Sequence, residues 1–474
     1  MDLVISLDGT GEKTVRVYRA LRAAIVDGRL PAGHRLPATR VLAADLGVSR
    51  NSVATAYERL VAEGYLASRV GSGTFVAPLR TRAAPRRAPA DPLRPRVGWD
   101  FTPLPVSSGA ATPRYDFRTG IPDAGLFPFD TWRRLVAAEV RLRANSPGTY
   151  AEPDGHPALR AAIARYLGVA RSIRVTGDDV VVTNGTQHAL DLIARVVLRP
   201  GDVVAVEEPG YQPARRLFAS VGARVVGVPV DPDGLVVDAL PAHARLVYVT
   251  PSHQFPLGGV MSLARRTALL DWARRRQTAI VEDDYDSEFR FSARPLEPLF
   301  SLDSAGRVLY AGTFSKTMLP TVRTGFVLTP PSLRPALVAA RQLCDGYGQV
   351  AVQAALARFI DEGQLARHVR RASRAYADRH ARIVTALAAD PALEVLPSAA
   401  GLHVTALVRN RDAARAGRVV AAAAATGVAL DDLAMYAGQD SARQAGFVFG
   451  FGAVRPDRID AGLAIFRDRL RQEE

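Results

Sequence analysis

Of the 61 basic side chains in the sequence only Lys13 and Lys316 are lysines. Lys316 lies in Gly312-Thr313-Phe314-Ser315-Lys316-Thr317, directly after an apolar run that reads as a strand. An arginine-rich coding bias accounts for the scarcity of lysine and makes the retained one informative. A lysine amine forms a Schiff base with an aldehyde, whereas a guanidinium stays charged and offers no nucleophilic amine. Thr313 and Ser315 add hydroxyls and Arg323 adds a guanidinium, a set suited to a phosphate.

Other chemically distinctive residues follow apolar runs in the same way. Gly185, in Thr183-Asn184-Gly185-Thr186-Gln187, opens a helix whose free N–H groups and dipole favour an anion. Glu207-Glu208-Pro209-Gly210-Tyr211 brings an aromatic ring to the end of the next run, although a core tyrosine is the default for that residue alone. Asp283-Asp284-Tyr285-Asp286 holds too many carboxylates to bury without a cationic partner. A protonated pyridine nitrogen opposite one aspartate would meet that need and keep the ring acting as an electron sink. Amine, phosphate ligands, aspartate and aromatic ring together describe a pyridoxal 5′-phosphate pocket.

Such a pocket needs a scaffold. Residues 180–182, 203–206, 246–249, 279–281, 308–310 and 325–328 form apolar runs separated by longer helical patterns. Strands without polar alternation, spaced by helices, predict a mostly parallel sheet covered on both faces, with ligands at its carboxyl edge.

The N-terminal part has a different character. Residues 1–98 carry 16 Lys/Arg against 8 Asp/Glu, an excess of 8 that leaves 6 of the net +14 for the rest. A polyanionic partner is therefore sought there. Val17, Leu21, Ile25 and Val26 predict a first helix; Thr39 to Leu46 predicts a second, closed by Gly47. Ser49 is placed to cap a third helix that buries Val53, Tyr57, Leu60 and Val61 and leaves Arg50, Asn51, Ser52 and Thr55 at its exposed start. Gly64 to Val76 reads as two short strands around a Gly-rich tip carrying Arg69, the shape of a wing. Helix-turn-helix plus wing suits major-groove reading, with a protein-docking helical hairpin as the alternative. The Pro/Arg-rich stretch 78–113 reads as a linker.

A single cysteine, Cys344, excludes an internal disulfide framework and a cysteine-based zinc site, and reads as a small core or interface residue in a reducing cytosol. No metal site and no membrane contact are expected: the first residues lack a basic segment before a long apolar one, and no apolar run reaches spanning length.

The spaced elements Gly33-His34-Arg35-Leu36-Pro37-Ala38-Thr39-Arg40, Leu46 to Val53 and Tyr57-Glu58-Arg59-Leu60 resemble the winged-helix domain of GntR-type regulators. The resemblance implies operator contacts by Arg35, Arg40, Ser49, Arg50, Asn51, Thr55, Arg69 and Gly71. Alanine at position 38, where serine is common, weakens the expected cap of the second helix. Gly120-Ile121-Pro122-Asp123, Tyr150 with Gly155, Gly185-Thr186-Gln187, Glu208-Pro209-Gly210-Tyr211, residues 250–256, Glu282 to Tyr285, and Ser315-Lys316 with Arg323 resemble the fold-type I aminotransferases. That resemblance implies Lys316 as the residue binding pyridoxal 5′-phosphate covalently, Asp283 on its ring nitrogen, Tyr285 on its ring hydroxyl and Tyr211 stacked on the ring. Gly185, Thr186, Gln187, Thr313, Ser315 and Arg323 would surround its phosphate, and Tyr150 would reach the phosphate of a neighbouring subunit in a domain-swapped homodimer.

Two positions depart from the aminotransferase pattern. Phe255 stands where an asparagine is common, with His253 or Gln254 as substitutes, and residues 447–451 lack the usual arginine for an α-carboxylate, with Arg443 and Arg455 nearby.

In this order the parts resemble the MocR/GabR subfamily of bacterial regulators. The chain is read as α/β, with an N-terminal winged helix-turn-helix (residues 1–77), a linker (78–113) and an aminotransferase-like domain (114–474). That domain should have a mostly parallel central sheet and a smaller C-terminal α+β subdomain. The implied function is a cytoplasmic transcriptional regulator that binds double-stranded operator DNA and senses pyridoxal 5′-phosphate or an amino compound. Control of vitamin B6 is preferred among effectors that include GABA, taurine and a D-amino acid. An active aminotransferase with a fused DNA-binding module is the rival reading, residual or half-reaction chemistry stays open, and a nucleoid-associated protein is a third reading.

Overall fold

The computed structural model describes residues 7, 11–69, 71–78, 113–142, 145, 148–291, 297–398, 400–410, 412–438 and 444–473. The expected linker lies almost wholly outside them. The chain divides into two compact units, Met1–Arg94 and Pro95–Glu474.

The first unit contains α1 (Lys13–Val26), α2 (Thr39–Leu46), α3 (Arg50–Ala62), β1 (Leu66–Arg69) and β2 (Gly73–Val76). Apolar residues three and four apart close a small core in which Val17, Leu21, Leu42, Val53 and Leu60 are fully buried. Val26, expected on this face, is exposed. Ile25 takes the inward direction at the end of α1, and a turn of about 100° per residue carries Val26 away.

Gly47 closes α2 in the left-handed conformation, with φ of 62°. The Ser49 hydroxyl accepts from the Ser52 N–H at 3.1 Å and so caps α3, whereas Ala38 starts α2 without a side-chain cap. In the wing, β1 and β2 pair antiparallel with Leu66 opposite Val76 and Arg69 opposite Gly73; Arg35 adds a bridge to Phe75.

In the second unit the large sheet is built from β4 (Val180–Thr183), β5 (Val203–Glu208), β6 (Arg224–Asp231), β7 (Gly234–Leu235), β8 (Ala244–Val249), β9 (Ala279–Asp284), β10 (Val308–Thr313) and β11 (Gly325–Leu328), after the short β3 (Tyr115–Asp116). Its order is β4-β11-β10-β9-β8-β5-β6-β7. Only β11 and β7 run against their neighbours, so the sheet is mostly parallel as expected. The helices are α4 (Phe129–Arg141), α5 (Pro157–Arg171), α6 (Thr186–Val197), α7 (Gln212–Ser220), α8 (Leu263–Arg276), α9 (Leu299–Leu302), α10 (Arg334–Asp345) and α11 (Val350–Asp361).

Successive strand residues face opposite layers. Val180 and Val182 pack with α5 and α11, while Val181 packs with α6 and α7. Burial on both faces is why these strands read as unbroken apolar runs.

The smaller subdomain adds α12 (Gln364–Ala388), β12 (Leu393–Val395), β13 (His403–Val408), α13 (Ala413–Ala425), β14 (Val428–Ala429), β15 (Asp431–Asp432), β16 (Gly446–Gly450) and α14 (Ile459–Gln472). Its antiparallel sheet has the order β12-β13-β16-β15, and β14 pairs with β3. Phe447 and Phe449 both meet Phe466 edge-on, at 5.0 Å between ring centres. Cys344 is exposed on α10, whose inward face carries Leu337 and Arg341; the core reading of this residue is corrected.

The core of the first unit makes a direct prediction. Leu60→Ala should destabilise that unit by about 2–5 kcal/mol, read as faster amide exchange along α3. Unchanged exchange would contradict the packing.

Candidate cofactor pocket and DNA-binding surface

The carboxyl ends of the central strands bring the distinctive residues together. The β9 carboxylates separate by strand alternation. Asp284 points to Arg171 at 2.7 Å and accepts the Tyr310 hydroxyl at 2.5 Å. Burial acts to raise Asp284, but Arg171, Ser287 and Tyr310 outweigh it and hold the carboxyl below its usual range. Glu282 has Arg266 at 3.8 Å and the N–H groups of Leu299 and Phe300, and Asp286 has His253 at 3.1 Å.

Asp283 has no cation at ion-pair distance among the described residues. Its Oδ2 accepts the Tyr248 hydroxyl at 2.7 Å, while Oδ1 is buried without a hydrogen-bond partner. Burial pushes this carboxyl up to about 7.

Lys316 follows the end of β10 by three residues, and its amine donates to the Gly120 carbonyl at 2.7 Å. Burial lowers the ammonium pKa, opposed by the charges of Asp286 and Asp283. Gly185 opens α6 at φ of 88°. A methyl group placed on it would lie 3.6 Å from Arg323 Nη1, 3.8 Å from Thr313 Oγ1 and 3.9 Å from Ser315 Oγ. Two hydroxyls and a guanidinium thus converge on a helix N-terminus, where N–H groups are free for an anion. Arg323 has no ion-pair partner among the described residues.

Tyr211 sets its ring edge-to-face with Phe255 at 5.9 Å. Its hydroxyl accepts from Gln187 Nε2 at 3.3 Å, so the Gln187 side chain is directed to the ring-bearing residue. Thr186 is the first residue of α6. The Tyr285 hydroxyl donates to the His253 carbonyl at 2.9 Å. Tyr150 is 92% exposed, its ring near that of Tyr347.

A pyridoxal 5′-phosphate fits this set chemically. The unpaired, buried Asp283 Oδ1 can accept from a pyridinium N–H, the Gly185 cradle can take a phosphate, and the Lys316 amine can take the aldehyde.

His253 and Asp286 stand out singly in the sequence, which gives no sign of the groups they and others join. His253, Asp286 and His403 bring polar atoms within 4.8 Å of one another. Protein partners engage them: His253 Nδ1 faces Asp286, His253 Nε2 lies 3.2 Å from Ser398 Oγ, and His403 Nε2 lies 3.0 Å from the Pro256 carbonyl. Thr119, Tyr436 and Asp431 form another linked group. Both groups join segments more than a hundred residues apart, which no local pattern reveals.

The arginine question also receives a geometric answer. Phe447 and Phe449 of β16 belong to the subdomain core, while Val448 packs with Tyr436 and Phe255. Arg455 is exposed and paired with Asp457; Arg443 lies outside the described residues. Arg118 is gripped by Asp116 through bonds of 2.8 and 2.6 Å.

In the first unit Arg35, Arg40, Ser49, Arg50, Asn51, Thr55, Arg69 and Gly71 are all exposed. The Ser49 hydroxyl is engaged in the α3 cap, and Arg69 lies over the Phe75 ring at 5.4 Å.

Asp283 supplies a test without turnover. Its pKa rises from 3.8 to about 7 on folding, so the folded chain holds an extra proton between those values. This contribution to stability is complete below about pH 4 and lost as pH rises through about 7. Cofactor-free Asp283→Asn should therefore gain stability relative to the parent as pH is raised from about 5 to about 8. A pH-independent difference in thermal midpoint would refute the buried, unpaired carboxyl.

Known proteins agree with both units. Residues 123–434 match the aminotransferase class I and II family, and residues 13–76 match the gntR family of bacterial regulatory proteins. The chain is 43% identical over 390 residues to the probable rhizopine catabolism regulatory protein MocR of Rhizobium meliloti, covering 80% of this chain and 77% of that one. It is 33% identical over 471 residues to the pyridoxine biosynthesis transcriptional regulator PdxR of Corynebacterium glutamicum, covering 99% of each. Among solved structures it is similar to Pyrococcus horikoshii kynurenine aminotransferase in complex with PMP, with 27% identity and a TM-score of 0.69 over 75% of this chain and 90% of that one. With a gntR-type winged helix joined to a class I and II aminotransferase fold, the chain belongs to the MocR-type transcriptional regulators.

Proposed function

We propose that this regulator binds pyridoxal 5′-phosphate in the pocket around Lys316 and couples its occupancy, or its reaction with an amino compound, to operator binding. The observation that carries the reading is Asp283 Oδ1, buried without a partner, whereas Glu282, Asp284 and Asp286 on the same segment each have a basic partner. When bound, the cofactor supplies an aldehyde for amines and an electron-withdrawing pyridinium.

Asp283 would hold the pyridinium proton, Tyr211 would cover the ring, and Tyr285 would approach the ring hydroxyl. Thr313, Ser315, Arg323 and the start of α6 at Gly185, Thr186 and Gln187 would surround the phosphate. The lowered basicity of Lys316 increases the fraction of free amine available to an aldehyde. Tyr150, almost fully exposed in one chain, is available to a second copy, which supports a homodimer with shared pockets; a DNA-binding regulator of this family would act in the cytoplasm.

A sensor is favoured over a working aminotransferase. Turnover of an amino acid calls for a cation on the substrate carboxylate, yet β16 presents Val448 and Arg118 is closed by Asp116. The same feature favours vitamin B6 as the effector, as does the pyridoxine biosynthesis role in the name of the Corynebacterium glutamicum relative. Residues 50, 51 and 55 at the start of α3 would enter the major groove, with Arg35, Arg40, Ser49, Arg69 and Gly71 beside them. Switching requires the effector to bind two states of the protein with different affinity.

Two variants separate the parts. Lys316→Ala should abolish the visible absorbance that develops when pyridoxal 5′-phosphate is added, with the fold retained by circular dichroism; full absorbance would overturn the pocket assignment. Arg50→Ala should weaken binding to an operator selected from a random duplex pool by about 1–3 kcal/mol. An equal loss on random duplex would reassign Arg50 to phosphate contact.

A further inference from the structure

The second unit carries a basic feature that the pocket does not use. Arg367, Arg370, Arg371 and Arg374 are all exposed on α12. Their spacing of three and four places them on one face of the helix. Among the described residues, none of the four has an ion-pair partner. Nearby acids are engaged elsewhere: Asp361 pairs with Arg165, Glu362 with Arg358 and Asp460 with Arg382, and Asp378 acts on Arg382. Arg367 donates to the Gly363 and Glu362 carbonyls at the end of α11 and Arg371 to that of Leu126, so neither meets an acid.

Folding accounts for only part of this arrangement: Arg367 closes the carbonyls at the end of α11 and Arg371 ties α12 to Leu126, whereas Arg370 and Arg374 have no partner among the described residues. Like charges at these spacings repel and weaken a helix. The contrast is with α8, whose Arg274, Arg275 and Arg276 occupy the last turn and complement the dipole. By contrast, Arg133 on α4 and Arg195 on α6 pair with Asp130 and Asp191 one turn away, whereas Arg374 forms no ion pair with Asp378 four residues on.

We propose that this stripe is a second contact for duplex DNA, engaging the sugar-phosphate backbone outside the segment read by the winged helix. The inference rests on the chain binding duplex DNA through its first unit. Guanidinium groups match phosphate oxygens geometrically. From Arg367 to Arg374 the helix rises roughly 10 Å, the length of about three phosphates along one strand. The contact adds affinity and a salt-dependent term without choosing bases.

The test uses the full chain and two duplexes, an operator selected from a random pool and the same operator extended by several helical turns. On the extended duplex, R370Q/R374Q should flatten the slope of log affinity against log salt by about 2 and weaken binding about tenfold at moderate salt. On the short duplex both quantities should match the parent. Removing the same charge as R275Q/R276Q should change neither. The proposal is overturned if the extended duplex shows the parental slope, if the short duplex loses as much, or if the α8 variant has the same effect. The thermal midpoint of R370Q/R374Q should equal or exceed that of the parent, which separates loss of contact from loss of fold. Absence of operator preference in the parent would count against the winged-helix reading, while the slopes on extended duplex would still judge the stripe.

Discussion

A carboxyl group sealed into the end of a parallel strand, with one oxygen unpaired, is the constraint around which the second unit is arranged. Burial of an ionised carboxylate without compensation is costly, so the local fold either provides a proton or leaves room for a cation. Asp283 meets that condition by remaining protonable near neutrality, while Asp284, one residue on, is held ionised by Arg171. Strand alternation separates the two: one aspartate is committed to structure and the other faces the pocket.

The remaining parts of the pocket follow from sheet order. A parallel sheet collects the ends of strands distant in sequence along one edge, and each end contributes one kind of group. Gly185 follows β4, Tyr211 follows β5, Asp283 lies on β9 and Lys316 follows β10. The antiparallel strand β11 lies between β4 and β10 and begins just after Arg323, placing that guanidinium beside Gly185, Thr313 and Ser315. The smaller subdomain adjoins this edge through β13 and β16: His403 and Thr405 meet the Pro256 carbonyl, and Val448 packs with Tyr436 and Phe255. In the proposed reading, a hydrophobic residue there in place of a cation favours ligand sensing over turnover of amino acids.

Much of this was legible because the signals were local. Apolar runs became strands since both faces of the sheet are covered, and Gly47 and Ser49 marked the boundary between α2 and α3 through backbone conformation and capping. Other features were not legible. Val26 continued an apolar pattern but lies at a helix end, where rotation by one residue decides exposure. Cys344 has a residue type that is usually buried, yet α10 turns it outward. The His253–Asp286–His403 group depends on contacts across about 150 residues, and the scattered positions of its members carry no common spacing.

The amino-acid sequence alone determined the order of the parts: a basic winged helix, then a pocket built on a solitary lysine with its hydroxyls, aspartates and arginine. Those assignments rest on residue chemistry and short-range periodicity, which survive in one dimension. Which of four carboxylates remains unpaired, which arginines are already held by acids, and which β16 residues enter the subdomain core were decided only by the tertiary structure. Charge compensation and burial act through space between segments far apart along the chain, so the same residues could be paired or free until the fold brings their partners together.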